Sequence, residues 1–313
     1  MIRKFLENLP IVRSLVNWSK RTAIPWTNGL RLYNFLDIYI KGLSQGILSY
    51  RASSIAYSFF MAIFPFLLFV LNLIPYIQIS GFQSRFLLFV QNLLPAQTAD
   101  FFYPIIVDIA TNPRKGLLSV SFILSGFLAS NGVNSIFRAF SDSVYVCSNR
   151  TFIGKYTMAM FVSFGIAVFM LVAIGVIIFG EILIHKLQKE SLIYHDFFWI
   201  NLLQIVVFVL MIYAVIATLY YFGLKKIDRA RFFSLGSVVT TILFIITTYV
   251  FRVYINNFSN YNELYGSIGA LLIMMLYIWI NANLLLIGFE LNIAMTTLQK
   301  SKQEEMNLIK TKE

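Results

Sequence analysis

The sequence predicts an all-α, polytopic membrane protein. Six transmembrane helices form one bundle, with an amphipathic helix at the N-terminal interface and short helices on the outer face. Three observations carry this. Of 313 residues, 58% are hydrophobic and only 12% charged, with mean hydropathy +0.75, whereas soluble domains carry about a quarter charged residues. Six stretches each reach the ~20 mostly apolar residues that cross a bilayer. Lys and Arg are also shared unevenly between the connections.

Residues 1–53 form a cytoplasmic, interfacial N-terminal segment. Glu7, Asn8 and Pro10 interrupt any apolar run at its start, so no cleavable signal peptide is expected. Over residues 28–50, Leu32, Phe35, Leu36, Tyr39, Leu43 and Ile47 share a stripe, while Arg31, Asn34, Lys41 and Gln45 lie mostly elsewhere. That is an amphipathic helix lying at the interface, and the upstream Trp18 and Trp26 suit headgroup depth.

The transmembrane domain covers residues 54–296, with helices at about 55–77, 117–140, 156–180, 197–222, 234–251 and 268–295. Pro65 and Pro75 should bend or end the first, because each lacks an amide donor. Residues 81–111 read as two short outer-face helices split by Pro95. Residues 297–313 are a polar cytoplasmic tail, read as a frayed helix. No tandem repeat or likeness between the halves is visible, so an inverted-repeat architecture has no support.

An even number of crossings puts both termini on one side. Nineteen of the 25 Lys and Arg fall on that side; Arg85, Arg114, Lys115, Lys186, Lys189 and Arg252 fall on the other. The bias places both termini in the cytoplasm. It also explains the net charge of +11: in a membrane protein, such charges meet anionic headgroups at the cytoplasmic face rather than nucleic acid. A second copy of the chain, or an envelope protein, stays open as a further partner.

Three blocks carry a family resemblance. The first is Arg51-Ala52-Ser53-Ser54-Ile55-Ala56-Tyr57-Ser58-Phe59-Phe60, leading to Phe64-Pro65. The second is Ser130-Asn131-Gly132-Val133-Asn134 with Arg138-Ala139-Phe140, then Asn149-Arg150-Thr151-Phe152. The third is Tyr265-Gly266-Ser267-Ile268-Gly269-Ala270, running to Gly288-Phe289-Glu290-Leu291-Asn292. Their order and spacing resemble the YihY/BrkB family of bacterial inner-membrane proteins from about Leu43 to Met295; Asp142 departs from the neutral amide expected there. The resemblance implies a six-helix inner-membrane protein, called a transporter or a virulence factor. An older label, ribonuclease BN, travels with the family.

That label can be tested against residues. A metal-dependent ribonuclease needs clustered His and Asp to hold metal and activate water. This chain has two histidines, His185 and His195, in a connection expected outside the cytoplasm, and no H-x-H-x-D-H run. Asp142 and Asp228 lie in different loops. The lone Cys147 excludes a disulfide framework and Cys-based metal sites. The G-x-x-x-x-G-K-[ST] and G-x-S-x-G patterns are missing. No catalytic residue, metal site or cofactor is expected, and the chain does not read as an enzyme.

Polar side chains inside hydrocarbon are costly, and so are functional candidates by default. Ser130, Asn134, Arg138 and Asp142 recur every four residues with Asn131 beside them, and Asn283 and Glu290 share a face of the last helix. Arg51, Asn131, Asn134, Arg138, Glu290 and the start of the first helix with Tyr57 fall in the cytoplasmic half; Asn281 and Asn283 lie nearer the midplane. Two readings stay open. The cluster lines a vestibule for a small or lipidic solute, making the protein a transporter or flippase. Alternatively, Glu290 pairs with Arg138 or Arg51 and the amides bind helix to helix, as in a non-transporting module that organises an envelope complex. Arg138 is the expected partner, because its helix carries the matching stripe.

Reporter fusions test the topology. Fusions after residues 10 and 300 should both report cytoplasm, and one near Lys189 the exterior; termini on opposite sides would mean a miscounted helix.

Overall fold

The structure is a computed structural model. It describes residues 32–45, 48–76, 83–84, 87, 96–143, 152–189, 196–223, 232–257 and 267–310. The described residues form helices and turns without strands. In chain order the helices are α1 (Leu32–Gln45), α2 (Leu48–Leu73), α3 (Ala96–Thr111), α4 (Lys115–Ser141), α5 (Phe152–Lys189), α6 (Asp196–Gly223), α7 (Leu235–Asn257) and α8 (Ser267–Lys310). Six are long and apolar enough to cross a membrane: α2, α4, α5, α6, α7 and α8. The six-helix class is therefore the observed one.

Several boundaries move for identifiable reasons. The first crossing helix starts at Leu48, because the polar Ser49-Tyr50-Arg51 turn is helical although not apolar. Pro65 does not end it. Helix α2 runs through that residue and stops at a 3-10 turn, Ile74–Tyr76, which contains Pro75. One of the two short outer helices is described, as α3, directly after Pro95; its expected partner lies largely outside the described residues. Helix α8 continues without a break for 44 residues, roughly 66 Å.

The crossing helices form a closed ring. Helix α2 packs on α4, α4 on α5, α5 on α6, α6 on α7, α7 on α8, and α8 returns to α2. Helix α1 lies on α8, where Phe35 packs with Ala294 and Leu298. The apolar stripe of the amphipathic helix thus rests on protein along this seam.

Most of the apolar core lies at one end of the ring, the end where α2 begins (here the proximal end). It takes Ala52 and Ile55 from the start of α2, and Val133, Ile136, Phe137 and Phe140 from the end of α4. Ala159 and Val162 come from early α5, and Ile216, Leu219 and Tyr220 from late α6. Helix α8 adds Leu285, Leu286, Phe289 and Ile293. At its centre Phe140 stacks on Phe289, centroids 3.8 Å apart and planes 3° apart, with Tyr220 at 5.8 and 6.0 Å. Toward the other end the helices turn large apolar side chains outward, among them Phe122, Ile123, Phe208 and Leu210. That surface suits lipid, not water.

Between lipid-bathed helices, apolar burial gives no net drive, so close approach and hydrogen bonds hold the bundle. The α6–α7–α8 seam shows both. The Tyr220 hydroxyl donates to the Leu285 carbonyl at 2.7 Å and meets Thr240 Oγ1 at 2.8 Å. With its one proton committed, it accepts from the threonine. A Cβ on Gly288 would collide with both hydroxyls.

Gly288→Val should therefore cost at least the ~1–3 kcal/mol of an overpacked core, lowering the thermal midpoint in detergent. Gly126→Val, at a position with open space beside it, should leave the midpoint unchanged.

Candidate functional site

The site starts from the end of α4. The amide of Ser143 turns to the Phe140 carbonyl at 3.3 Å, a tighter closure than the helical i→i−4 bond. This leaves the Ala139 carbonyl among the unpaired acceptors that end a helix, where the helix dipole is negative. Arg51, on the first turn of α2, occupies that position: its Nε donates to the Ala139 carbonyl at 2.8 Å. Its Nη1 donates to Glu290 Oε1 of α8 at 2.9 Å. The second carboxylate oxygen accepts from the Ser143 hydroxyl at 2.8 Å. Both charges are sealed from solvent, with side-chain exposures of 3% and 1%.

Helix α1 closes the site from the fourth side. Gly42 sits against the carboxylate so tightly that a Cβ there would lie 2.7 Å from Glu290 Oε2. Burial, and then the nearby Glu290 carboxylate, push the Tyr39 phenol of α1 above its ordinary value, so that phenol stays neutral beside the negative group. Four elements therefore meet at one carboxylate. One donor is left over: Arg51 Nη2 is buried without a partner.

The partner of Glu290 in this ion pair is Arg51, not the expected Arg138. Arg138 is exposed on its helix, and the buried Asn134 amide, oriented to face it, accepts from Nε at 3.2 Å and Nη2 at 3.1 Å. Tyr57 is 56% exposed and Asn131 is half-buried. Asn281 is buried; its Nδ2 donates to the Tyr277 carbonyl at 2.9 Å, and its Oδ1 has no partner. Asn283 is half-buried and donates to the Trp279 carbonyl at 2.8 Å. Of the candidates, the structure joins Arg51 to Glu290 and Asn134 to Arg138, and leaves Tyr57 outside both pairs.

Several contributors were missed. Ser143 follows the end of a helix and has no periodic signal. Asn292, which entered only through the family-resemblance block, serves α7: its Oδ1 accepts from the Gly236 amide at 2.7 Å and its Nδ2 donates to Ser234 Oγ at 2.9 Å. It thereby satisfies an amide that every helix start leaves free. Among the described residues, no three His, Cys, Asp or Glu side chains stand close enough to hold a metal ion. His195 lies outside the described residues.

Fold and site together define a polytopic six-helix membrane protein whose proximal end is locked by one buried ion pair. The family described as Virulence factor BrkB matches residues 39–309, and the chain belongs to that family. It is 30% identical over 245 residues to the ribonuclease-like protein YfkH of Bacillus subtilis, covering 77% of this chain and 88% of that one. A UPF0761 membrane protein of Coxiella burnetii is 24% identical over 247 residues, covering 77% and 85%. Another, from Alteromonas mediterranea, is 23% identical over 288 residues, covering 88% and 92%. No solved structure matches the chain.

The pair makes a stability prediction. Glu290→Gln leaves a buried arginine uncompensated and should cost about 3–5 kcal/mol, read as a lower unfolding midpoint in detergent. Adding Arg51→Met should recover most of the loss. Ser143→Ala should cost less, about 1–3 kcal/mol for the acceptor left unsatisfied.

Proposed function

We propose that the protein is a transporter or flippase of a small or lipidic solute in the bacterial inner membrane, with both termini in the cytoplasm. The Arg51–Glu290 pair then closes the bundle at its cytoplasmic end. The observation that carries this is the pair itself, buried between α2 and α8, with the guanidinium Nη2 still unpaired. Well-packed apolar residues would stabilise such a seam as well or better, so the pair suits a seam that must open and rehydrate. Ionisable groups at membrane depth serve that kind of role by default. The chemistry assembled here is a neutralised carboxylate, not a water-activating centre, and it supports a non-enzymatic reading over phosphodiester cleavage. The name of the Bacillus relative concerns that protein.

A second reading has one observation of its own. Helix α8, roughly 66 Å long, exceeds the ~40–45 Å of a whole bilayer, so its last turns extend beyond the headgroups. A non-transporting module that organises an envelope complex would use such an extension, and a stoichiometric crosslink to another protein in cells would favour it.

Purified protein in liposomes tests transport. Labelled phospholipid should cross the bilayer, or a trapped solute should leave, faster than from empty liposomes. Arg51→Met/Glu290→Leu, folded but unable to form the pair, should lose this movement. Wild-type liposomes that move neither lipid nor solute would remove the basis of the proposal.

A further inference from the structure

Helix α1 covers one face of α8. Gly42 lies over Glu290, and two turns earlier Phe35 packs with Ala294 and Leu298. Residues 290, 294 and 298 follow one another at one-turn intervals on that face, so the two helices run antiparallel along the stripe. Leu36, Ile38 and Tyr39 of α1 and Leu291 and Met295 of α8 complete the contact. The rings of Phe35 and Tyr39 stack, with centroids 5.9 Å apart. Among the described residues, no other helix holds α1 to a comparable extent.

This cover hides the carboxylate. Arg51 and Ser143 approach Glu290 from α2 and from the end of α4, and Gly42 closes on Oε2 from α1. Glycine weakens a helix interior, so its place inside α1 is explained by the closed seat, where a Cβ would lie 2.7 Å from that oxygen. Lifting α1 would uncover Glu290, Ala294 and Leu298 together. The apolar stripe of α1 also has a second seat. An amphipathic helix of this kind rests equally well in a membrane interface, so leaving α8 need not put Phe35, Leu36 and Tyr39 in water. Two seats of similar free energy are what a two-position element requires.

We infer that α1 is a lid on the Arg51–Glu290 pair: seated on α8 it keeps water from the carboxylate, and lifted toward the proximal membrane interface it admits water. A dry pair is strong and a wet one weak, so the lid sets the strength of the α2–α8 seam. The inference rests on the reading of the pair as a seam that opens, but its test needs no transported solute.

Ala294 provides the test, because it is 1% exposed and packs with Phe35 of α1. The full chain with Cys147→Ser and Ala294→Cys is placed in lipid nanodiscs and treated with a charged, membrane-impermeant methanethiosulfonate. Ala159→Cys, at a buried core position on α5 away from α1, is the control for opening of the whole bundle. Unfolding midpoints confirm that each variant is folded. Ala294→Cys should react at least about tenfold faster than Ala159→Cys, because local opening precedes global opening. Gly42→Leu, whose side chain collides with Glu290 in the closed seat, should speed the Ala294→Cys reaction about fivefold or more. It should leave Ala159→Cys unchanged. Gly42→Ala, a smaller intrusion, should act in the same direction and carries the test if Gly42→Leu lowers the midpoint. Equal rates at positions 294 and 159 would overturn the lid: both slow means that α1 never lifts, both fast that the bundle opens as a whole. An Ala294→Cys rate indifferent to substitution of Gly42 would overturn it too. Labelling at 294 in a protein that moves neither lipid nor solute in liposomes would keep the lid and remove the transporter. Transport with position 294 unlabelled would do the reverse.

Discussion

A guanidinium and a carboxylate buried side by side at membrane depth constrain everything around them. Each is costly to desolvate, and their attraction offsets that cost only with close geometry and satisfied remaining lone pairs. The chain meets this by bringing four elements together. The carboxylate takes Arg51 on one oxygen and Ser143 on the other, and the guanidinium also takes the spare Ala139 carbonyl at the negative end of α4. The position of α1 follows, because only a residue without a side chain fits over Glu290 at position 42. The register of α2 against α4 and α8 is thereby fixed at one level.

The rest of the proximal half is built to the same level by different means. The Phe140–Phe289 stack joins α4 to α8, Tyr220 and Thr240 tie α6 and α7 to α8, and Asn292 caps α7 from the side. Toward the other end contacts persist, such as Phe69 with Phe122 and Thr248 with Tyr277, but many side chains there face outward. The polarity of the packing thus follows the polarity of the sequence, since specific hydrogen bonds are what distinguish protein neighbours from lipid. Lipid completes the half that has few of them.

The six crossings were legible because hydropathy over ~20 residues is a one-dimensional property. Glu290 was legible as an outlier in such a segment. The choice between its two candidate partners was not. Periodicity placed Asn134 and Arg138 on one face of α4, but it cannot say which helix that face meets, and a long arginine near a helix end can reach the interface instead. Arg51 lies so close to the start of α2 that hydropathy excluded it from the span, although the helix begins before it. The helical tail was legible for a different reason: Gln, Lys, Glu, Met and Leu after Thr296 are polar on balance but good helix formers, so the helix outlasts its apolar stretch. Of the two alternatives at a proline, Pro75 lies where the helix ends and Pro65 lies within it, since a helix within a membrane bundle can pass through a proline when its surroundings satisfy the freed carbonyl.

The seams of the ring are unequal in kind, and that bears on how such a bundle could change shape. The α2–α8 seam is closed by a charged pair, which is strong while dry and weak once water enters, because its Coulomb energy scales inversely with the local dielectric. The α6–α7–α8 seam is held by neutral hydroxyls and interlocked glycine, and these lose contact outright if the helices separate. The α5–α6 seam has already parted around an apolar groove. A hydrated charge pair loses little by separating, whereas a glycine-packed seam has no such alternative state. The two faces of α8 therefore divide the bundle into a side that water can release, through Arg51 and Glu290, and a side that moves only as a unit with α6 and α7.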